Sequence, residues 1–484
     1  MLSVNDYYLL SPEIGMAGVA FLIVILDLFI ERKGVVAALG FLGLGVPLGF
    51  TISLWGTTDT AFGGFLIVDS FSIFFKVLII GVTGMVILAS QQAAALFKRF
   101  QGEYYALLLM AAAGLMLVAS TGELITIYVS LELSSLASIA LVAFFRDSRS
   151  TEAGAKFLIL SAVSSAIMLY GMAMVFGTTG STELDEIARA VSATSLQENP
   201  ALLIGVIFII AGFGFKIATF PFQMWVPDVY QGAPTPVTAF LAVASKAAGF
   251  AVILRVFYVA FPQVSSDWSI LFGVLAVVTM TFGNMIAIFQ TDIKRLLAYS
   301  AIAHAGYLMI GLAAVSTRIP GEELLGPQGV LFYLGGYAFT NLAAFFVVVA
   351  IAHKIRSHAI DDYAGMGKRS PVMAGLLALA LISLTGLPPT VGFWGKMFLF
   401  NGAIQADLIW LAVAGAINSV ISAFYYLRVV KVMYLQSPPN EERVTSPFPL
   451  SLALFMTAAG IAFFGIVPGY LLDFAVRATE SFPG

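Results

Sequence analysis

Of 484 residues, 60% are apolar and 11% charged, and mean hydropathy is +0.96, so lipid must serve as solvent for most of the surface. Twenty-four cations against 27 acids give a net charge of -3, which leaves no basic field for nucleic acid. No cysteine and only three histidines exclude a disulfide frame, a thiolate nucleophile and a cysteine-ligated Fe–S cluster, and leave little for a haem or a zinc.

The chain begins with Asp6 and no cation before the first apolar run, so it lacks the basic start of a signal peptide. Pro12 to Ile30, about 28 Å as a helix, reads as the first membrane helix. Thirteen further apolar stretches follow near 34–55, 66–90, 104–121, 123–145, 153–176, 201–222, 235–261, 268–289, 296–315, 330–352, 371–400, 406–435 and 449–472. The twelfth is interrupted by Pro388-Pro389, and only Ser120-Thr121-Gly122 separates the fourth from the fifth. The predicted fold is an all-α polytopic membrane protein with about 14 transmembrane helices.

Cation placement tests this parse. One side receives Arg32, Lys33, Lys98, Arg99, Arg146, Arg149, Lys156, Lys294, Arg295, Lys354, Arg356, Lys368, Arg369, Lys431 and Arg443; the other receives Arg189, Arg318 and Arg477. That bias places the first group inside and both termini outside. His353 and His358 fall in an inner loop and are expected at the surface. The longest outer loop, Gly177 to Pro200, carries Glu183, Asp185, Glu186 and Glu198.

Six cations remain within the spans: Lys76, Lys216, Lys246, Arg255, Lys396 and Arg428. Each costs about 2.5–3.5 kcal/mol at a helix centre, so each is expected to face the bundle interior or water. Arg255 and Arg428 stand near enough to helix ends to snorkel. Asp69, seven residues before Lys76 on much the same face, is its expected partner. Lys216 is followed by Pro221 and Lys396 follows Pro388-Pro389, so each lies near a helix break. Broken helices in a bilayer need protein or water to satisfy their loose backbone groups, and they mark ion pathways. Glu132 is the acid most clearly inside a span. A lysine beside such an acid gains or loses its proton as the acid approaches or recedes, which a permanently charged arginine does not. The competing reading is a static ion pair that fixes packing.

His304 lies nearly 14 Å into its span from Arg295, where its side chain suits a relay between lysines or a satisfied core position. In FPFQMWVPDVYQGAPTPVTAF, four prolines predict a re-entrant or interfacial turn, with Trp225 and Tyr230 at headgroup depth and Asp228 capping a short helix.

FPFQMWVPDVYQGAPTPVTAFLAVASKAAGF, QTDIKRLLAYSAIAHAGYLMIGL and LTGLPPTVGFWGKMFLF resemble the antiporter-like subunit N family of proton-pumping NADH:quinone oxidoreductase, respiratory complex I (subunit 2 in mitochondria). The resemblance spans most of the chain. It implies two inverted five-helix repeats with broken helices: residues 1–103 for the first three helices, 104–261 and 268–435 for the repeats, and 449–484 for the last helix and tail. It also implies a proton relay of Glu132, Lys216, Lys246, His304 and Lys396 through the membrane centre, with Glu132 and Lys216 as a charge pair. No cofactor is implied in this chain; FMN, Fe–S clusters and quinone are expected in partner subunits. Implied partners are other membrane-arm subunits, both antiporter-like and small, together with lipid and protons. The implied location is a bacterial inner membrane with periplasmic termini. Gln223 departs from the histidine many relatives carry there; glutamine does not titrate near neutrality. Only Leu471 to Gly484 follows the last span, too short for the lateral helix of larger antiporter-like subunits. Two alternatives share the fold: the same subunit in a ferredoxin-dependent photosynthetic complex, in a thylakoid membrane, and a subunit of a multisubunit cation/proton antiporter.

Overall fold

The computed structural model describes residues 3–30, 33–97, 100–192, 199–315, 324–438, 443–480 and 482. Arg32, Lys98, Arg99, Glu198 and Arg318, which entered the charge reading, lie outside the described residues, as do the Lys33 side chain and Gly484.

A one-turn helix α1 (Val4–Leu9), held by a Ser3–Asp6 capping box, leads into the first long helix, α2 (Ser11–Phe29). The second stretch is divided between α3 (Lys33–Gly43) and α4 (Gly45–Ser53). A two-stranded hairpin, Asp59–Ala61 against Leu66–Val68, precedes α5 (Ser70–Ala95), α6 (Gln101–Ala119), α7 (Leu124–Val142) and α8 (Ser148–Thr179). After the short amphipathic α9 (Leu184–Val191) come α10 (Pro200–Ile217), α11 (Trp225–Gly232), α12 (Thr235–Phe240), a π-helical turn at Leu241–Ser245, and α13 (Lys246–Val259). The remainder is α14 (Ser265–Ala287), α15 (Ile293–Ala313), α16 (Leu325–Ile355), α17 (Met366–Arg369), α18 (Pro371–Thr385), α19 (Val391–Gln405), α20 (Ile409–Leu435), α21 (Phe448–Ile466) and α22 (Gly469–Thr479). Side-chain caps start many of these helices: Asp69 accepts from Ser72 N, Glu123 from Thr126 N, Asp147 from Ser150 N and Asp292 from Lys294 N.

Among the described residues, thirteen helices or joined helix runs are long and apolar enough to cross a membrane, so the protein is an all-α polytopic membrane protein. The count differs from the expected fourteen at the twelfth stretch. There α18 and α19, each about 22 Å long, stand as two separate helices across the proline turn, neither reaching the roughly 30 Å of a hydrocarbon core alone.

The run from α12 to α13, with α15 and α16, forms the enclosed centre, while α7, α8 and α20 turn residues such as Val129, Leu136, Ile159 and Phe424 outward. Small residues let the central backbones meet, as membrane helices require. A Cβ on Gly306 would stand 2.6 Å from Met280 N, and one on Gly283 2.7 Å from Ala303 N.

Two expectations about the buried cations are corrected. Lys76 pairs with Glu13 of α2 at 2.9 Å. Asp69 instead receives Arg255 of α13 in a two-pronged pair at 2.6 and 3.0 Å. Arg255 therefore does not snorkel: its guanidinium is buried, also reaches Ala119 O, and lies over the Phe71 ring. Arg428 does reach a helix end, donating to the carbonyls of Ile288 and Gln290 just past α14.

Candidate functional site

The sequence of α10 ends in an apolar run broken by Thr219, Phe220 and Pro221. The structure closes the helix at Ala218, whose φ of 64° turns the chain out of the helix. Carbonyls of the last turn are thereby freed. The indole of Trp225 answers one of them, donating to Phe215 O at 3.0 Å while stacking on Phe157. Trp225 and Tyr230 are thus buried in protein. An indole N–H in an apolar setting seeks an acceptor, and the break supplies one. Asp228 does not cap by side-chain hydrogen bond; in the first turn of α11 it pairs with Lys156 at 2.8 Å and Arg295 at 2.9 Å.

Lys216 occupies the last turn of α10, half-buried, and donates to Ser135 Oγ on α7. Glu132 lies one turn back on α7, half-buried, and accepts from Ser165 Oγ on α8. The two charges are held one turn apart by separate serines, within electrostatic reach but without the direct ion pair expected between them.

Lys246 follows the π-helical turn, which locally widens the helix, and it is buried. Its ammonium donates to Ala301 O on α15 and lies 5.7 Å from the Tyr337 ring centre. The link back to Lys216 runs through Gly249: a Cβ there would meet Lys216 Cβ at 3.7 Å and Ile217 Cγ2 at 2.8 Å.

His304 sits one turn beyond Ala301 on α15. Its ring is held between two phenols, Nδ1 to Tyr333 Oη at 2.5 Å and Nε2 to Tyr426 Oη at 3.1 Å. Tyr337 and Tyr307 flank the same ring, with centroids 5.2 and 5.5 Å away.

Lys396 lies on α19, beyond the second break, and is buried. It reaches back across the turn to Thr385 O at 2.9 Å, and its ammonium stands 4.3 Å over the Tyr307 ring. Lys216 precedes its break whereas Lys396 follows its own, yet both ammonium groups lie near the carboxyl end of the upstream half-helix. Cations are favoured at such ends.

Lys246, His304 and Lys396 lie inside the bundle, and Glu132 and Lys216 are half-buried. Lys246, His304 and Lys396 are joined through tyrosine rings, Lys216 abuts this group through Gly249, and Glu132 is tied to Lys216 only through the α7 serines. Sequence reading missed Ser135, Ser165, Tyr307, Tyr333, Tyr337 and Tyr426. The available signal was polar side chains recurring at helical spacing in otherwise apolar helices. Gln223 is buried in the first break with its side-chain carbonyl unpartnered. Two inner-side expectations also shift. Lys294, counted as a loop cation, is buried in the first turn of α15 and donates to Gln231 O and Ala233 O. His358 is half-buried against a cavity, while His353 is exposed in the last turn of α16.

The family model described as NADH:quinone oxidoreductase/Mrp antiporter, TM, matches residues 121–422. The chain is 44% identical to NADH-quinone oxidoreductase subunit N of Dehalococcoides mccartyi over 98% of this chain and 99% of that one. It is 42% identical to the protein of the same description from Trichlorobacter lovleyi, over 97% and 96%. A chain in the structure of respiratory complex I from Thermus thermophilus with bound aureothin superposes with a TM-score of 0.80 at 31% identity, over 96% of this chain and 99% of that chain.

Proposed function

The chain belongs to the NADH-quinone oxidoreductase subunit N family, and from that premise we propose that Glu132, Lys216, Lys246, His304 and Lys396 form its proton relay. Its role is that of a membrane-arm subunit of NADH:quinone oxidoreductase, without a cysteine to ligate an Fe–S cluster. FMN, Fe–S clusters and quinone reduction belong to partner subunits in this reading. The cation bias orients the chain with both termini periplasmic and the Lys294 end cytoplasmic. In this reading the chain is built of two inverted five-helix repeats, 104–261 and 268–435, and the two helix breaks, one within each range, support it.

One observation carries the reading. From Lys246 to Lys396 the contacts run without interruption through Tyr337, His304 and Tyr307 at spacings of 4.3 to 5.7 Å. Static packing does not call for three ionisable groups strung on aromatic rings in the most enclosed part of the bundle. The separated Glu132 and Lys216 supply the input step. A 4 Å ion pair is worth about 4 kcal/mol at an effective dielectric of about 20 relative to full separation, and closing Glu132 on Lys216 would gain the part of it not already made. Moving one charge against 100 mV costs about 2.3 kcal/mol, so a modest helix shift is of the right size.

The test is Lys216→Met in the assembled complex reconstituted into vesicles. Electron transfer with an uncoupler should persist while protons translocated per electron fall. An unchanged ratio rejects the relay. Copurification of an NADH-oxidising, FMN-bearing subunit is expected; a ferredoxin-docking subunit in its place would reassign the electron donor.

A further inference from the structure

At the Lys294 end of the seam between α12 and α16 lies a cavity of about 260 Å³, lined in part by Asp147, Arg149, Gln231, Lys294, His353 and His358. Thr235 on α12 and Val349 on α16 also line it. At 1.5 Å per residue, Lys246 lies about 16 Å further along from Thr235, and Tyr337 about 18 Å along α16 from Val349. The two helices thus run from this cavity to the centre of the relay.

Between the ends, one ridge of every fourth residue on α16 carries His353, Val349, Phe345, Asn341, Tyr337 and Tyr333. Its members differ in kind along the way. His353 and Val349 face the cavity. Phe345, one turn along α16 from the cavity-lining Val349, meets the Tyr230 ring edge-on at 6.2 Å, both fully buried. Beyond that ring pair, Asn341 is fully buried and faces the Tyr337 hydroxyl one turn away, neither group meeting full hydrogen-bond geometry. Buried polar groups are almost always paired, with protein or with water. Tyr337 then touches Lys246, and Tyr333 holds His304.

We propose that this ridge is the uptake route by which protons reach Lys246, with Phe345 against Tyr230 as an apolar gate and Asn341 and Tyr337 as the water-holding step behind it. The proposal rests on the relay reading above and adds an entrance and a gate to it. The proton moves along hydrogen-bonded water; Asn341 does not titrate but orients that water with one donor and one acceptor end. Displacing one aromatic ring joins the cavity to Asn341.

The absence of cysteine from this chain makes the test direct. Single cysteines, Val349→Cys and Asn341→Cys, are introduced in the whole complex and exposed in inverted vesicles to a charged methanethiosulfonate reagent, with labelling read as the mass shift of this chain. Val349→Cys should label readily. A gate open about 10% of the time or less slows Asn341→Cys labelling about tenfold or more, and adding Phe345→Ala should remove that delay. Labelling of Asn341→Cys that is the same with and without Phe345→Ala, fast, slow or nil, overturns the gate. In parallel, Asn341→Leu should lower protons per electron and Asn341→Ser should preserve them; normal pumping by Asn341→Leu overturns the route. Lys246→Met in the same preparation separates the two readings. Normal pumping by that variant removes the relay itself, whereas its failure beside normal pumping by Asn341→Leu removes only this entrance.

Discussion

Lys396 donates to the main-chain carbonyl of Thr385, 2.9 Å away, so the downstream half of the broken helix grips the upstream half through its own ammonium group. The turn between them depends on Gly386, whose φ is +88°. A Cβ there would stand 2.8 Å from Lys396 Cδ. Any change at the turn is therefore felt by the ammonium group.

Gly386→Ala combines a left-handed backbone cost of about 1–2 kcal/mol with displacement of the Lys396 side chain. Proton translocation per electron should fall more than the melting temperature of the purified complex suggests. A variant that pumps normally would show that the Lys396–Thr385 contact is dispensable.

Arg255 and Asp69 tie α13 to the start of α5 across 186 residues of sequence. Removing one partner of a buried pair leaves the other charge stranded, at about 3–5 kcal/mol. Arg255→Leu should lower the yield and thermal stability of the assembled complex strongly. Adding Asp69→Asn should recover part of the loss, because asparagine still caps α5. Thermal unfolding in detergent reads both.

His358, outside the membrane spans, has its imidazole pushed down to about 4, chiefly by burial and then by the nearby cations Lys294 and Arg149, with Asp292 opposing. An unfolded histidine titrates near 6.5. Between about 6.5 and 4 the unfolded chain therefore binds a proton that the folded chain refuses, and stability falls as pH is lowered through that window. Above it His358 contributes no pH dependence. Melting temperatures of the native complex and of His358→Gln, followed from pH 7 to 4.5, should diverge as pH drops, the native protein losing more. Parallel curves would contradict this assignment.

The sequence made the spans readable because hydrocarbon imposes length and apolarity, and proline marks where a span is cut. It also singled out Lys216, Lys246, His304, Lys396 and Glu132, since an ionisable group deep in an apolar run is costly wherever it lies. Their partners were not readable. Lys76 has Asp69 on its own helix face, yet it takes Glu13 from α2, because partners between helices are chosen by packing and not by spacing along one chain. Trp225 carries the signature of an interfacial aromatic, and only the freed Phe215 carbonyl explains its place inside. Tyr307, Tyr333 and Tyr337 pass in sequence for ordinary apolar bulk. Their places beside Lys246, His304 and Lys396 depend on α13, α15, α16 and α19 meeting. Gln223 was visible as a departure, and its burial with an unpartnered carbonyl in the first break gives it a place in the fold.

The most direct measurement is a map of the assembled complex at a resolution that shows ordered water. The account predicts a continuous file of water and side chains from Glu132 and Lys216 through Lys246 and His304 to Lys396. Dry apolar packing between Lys216 and Lys246, or between His304 and Lys396, would contradict it and leave these charges as braces of the bundle.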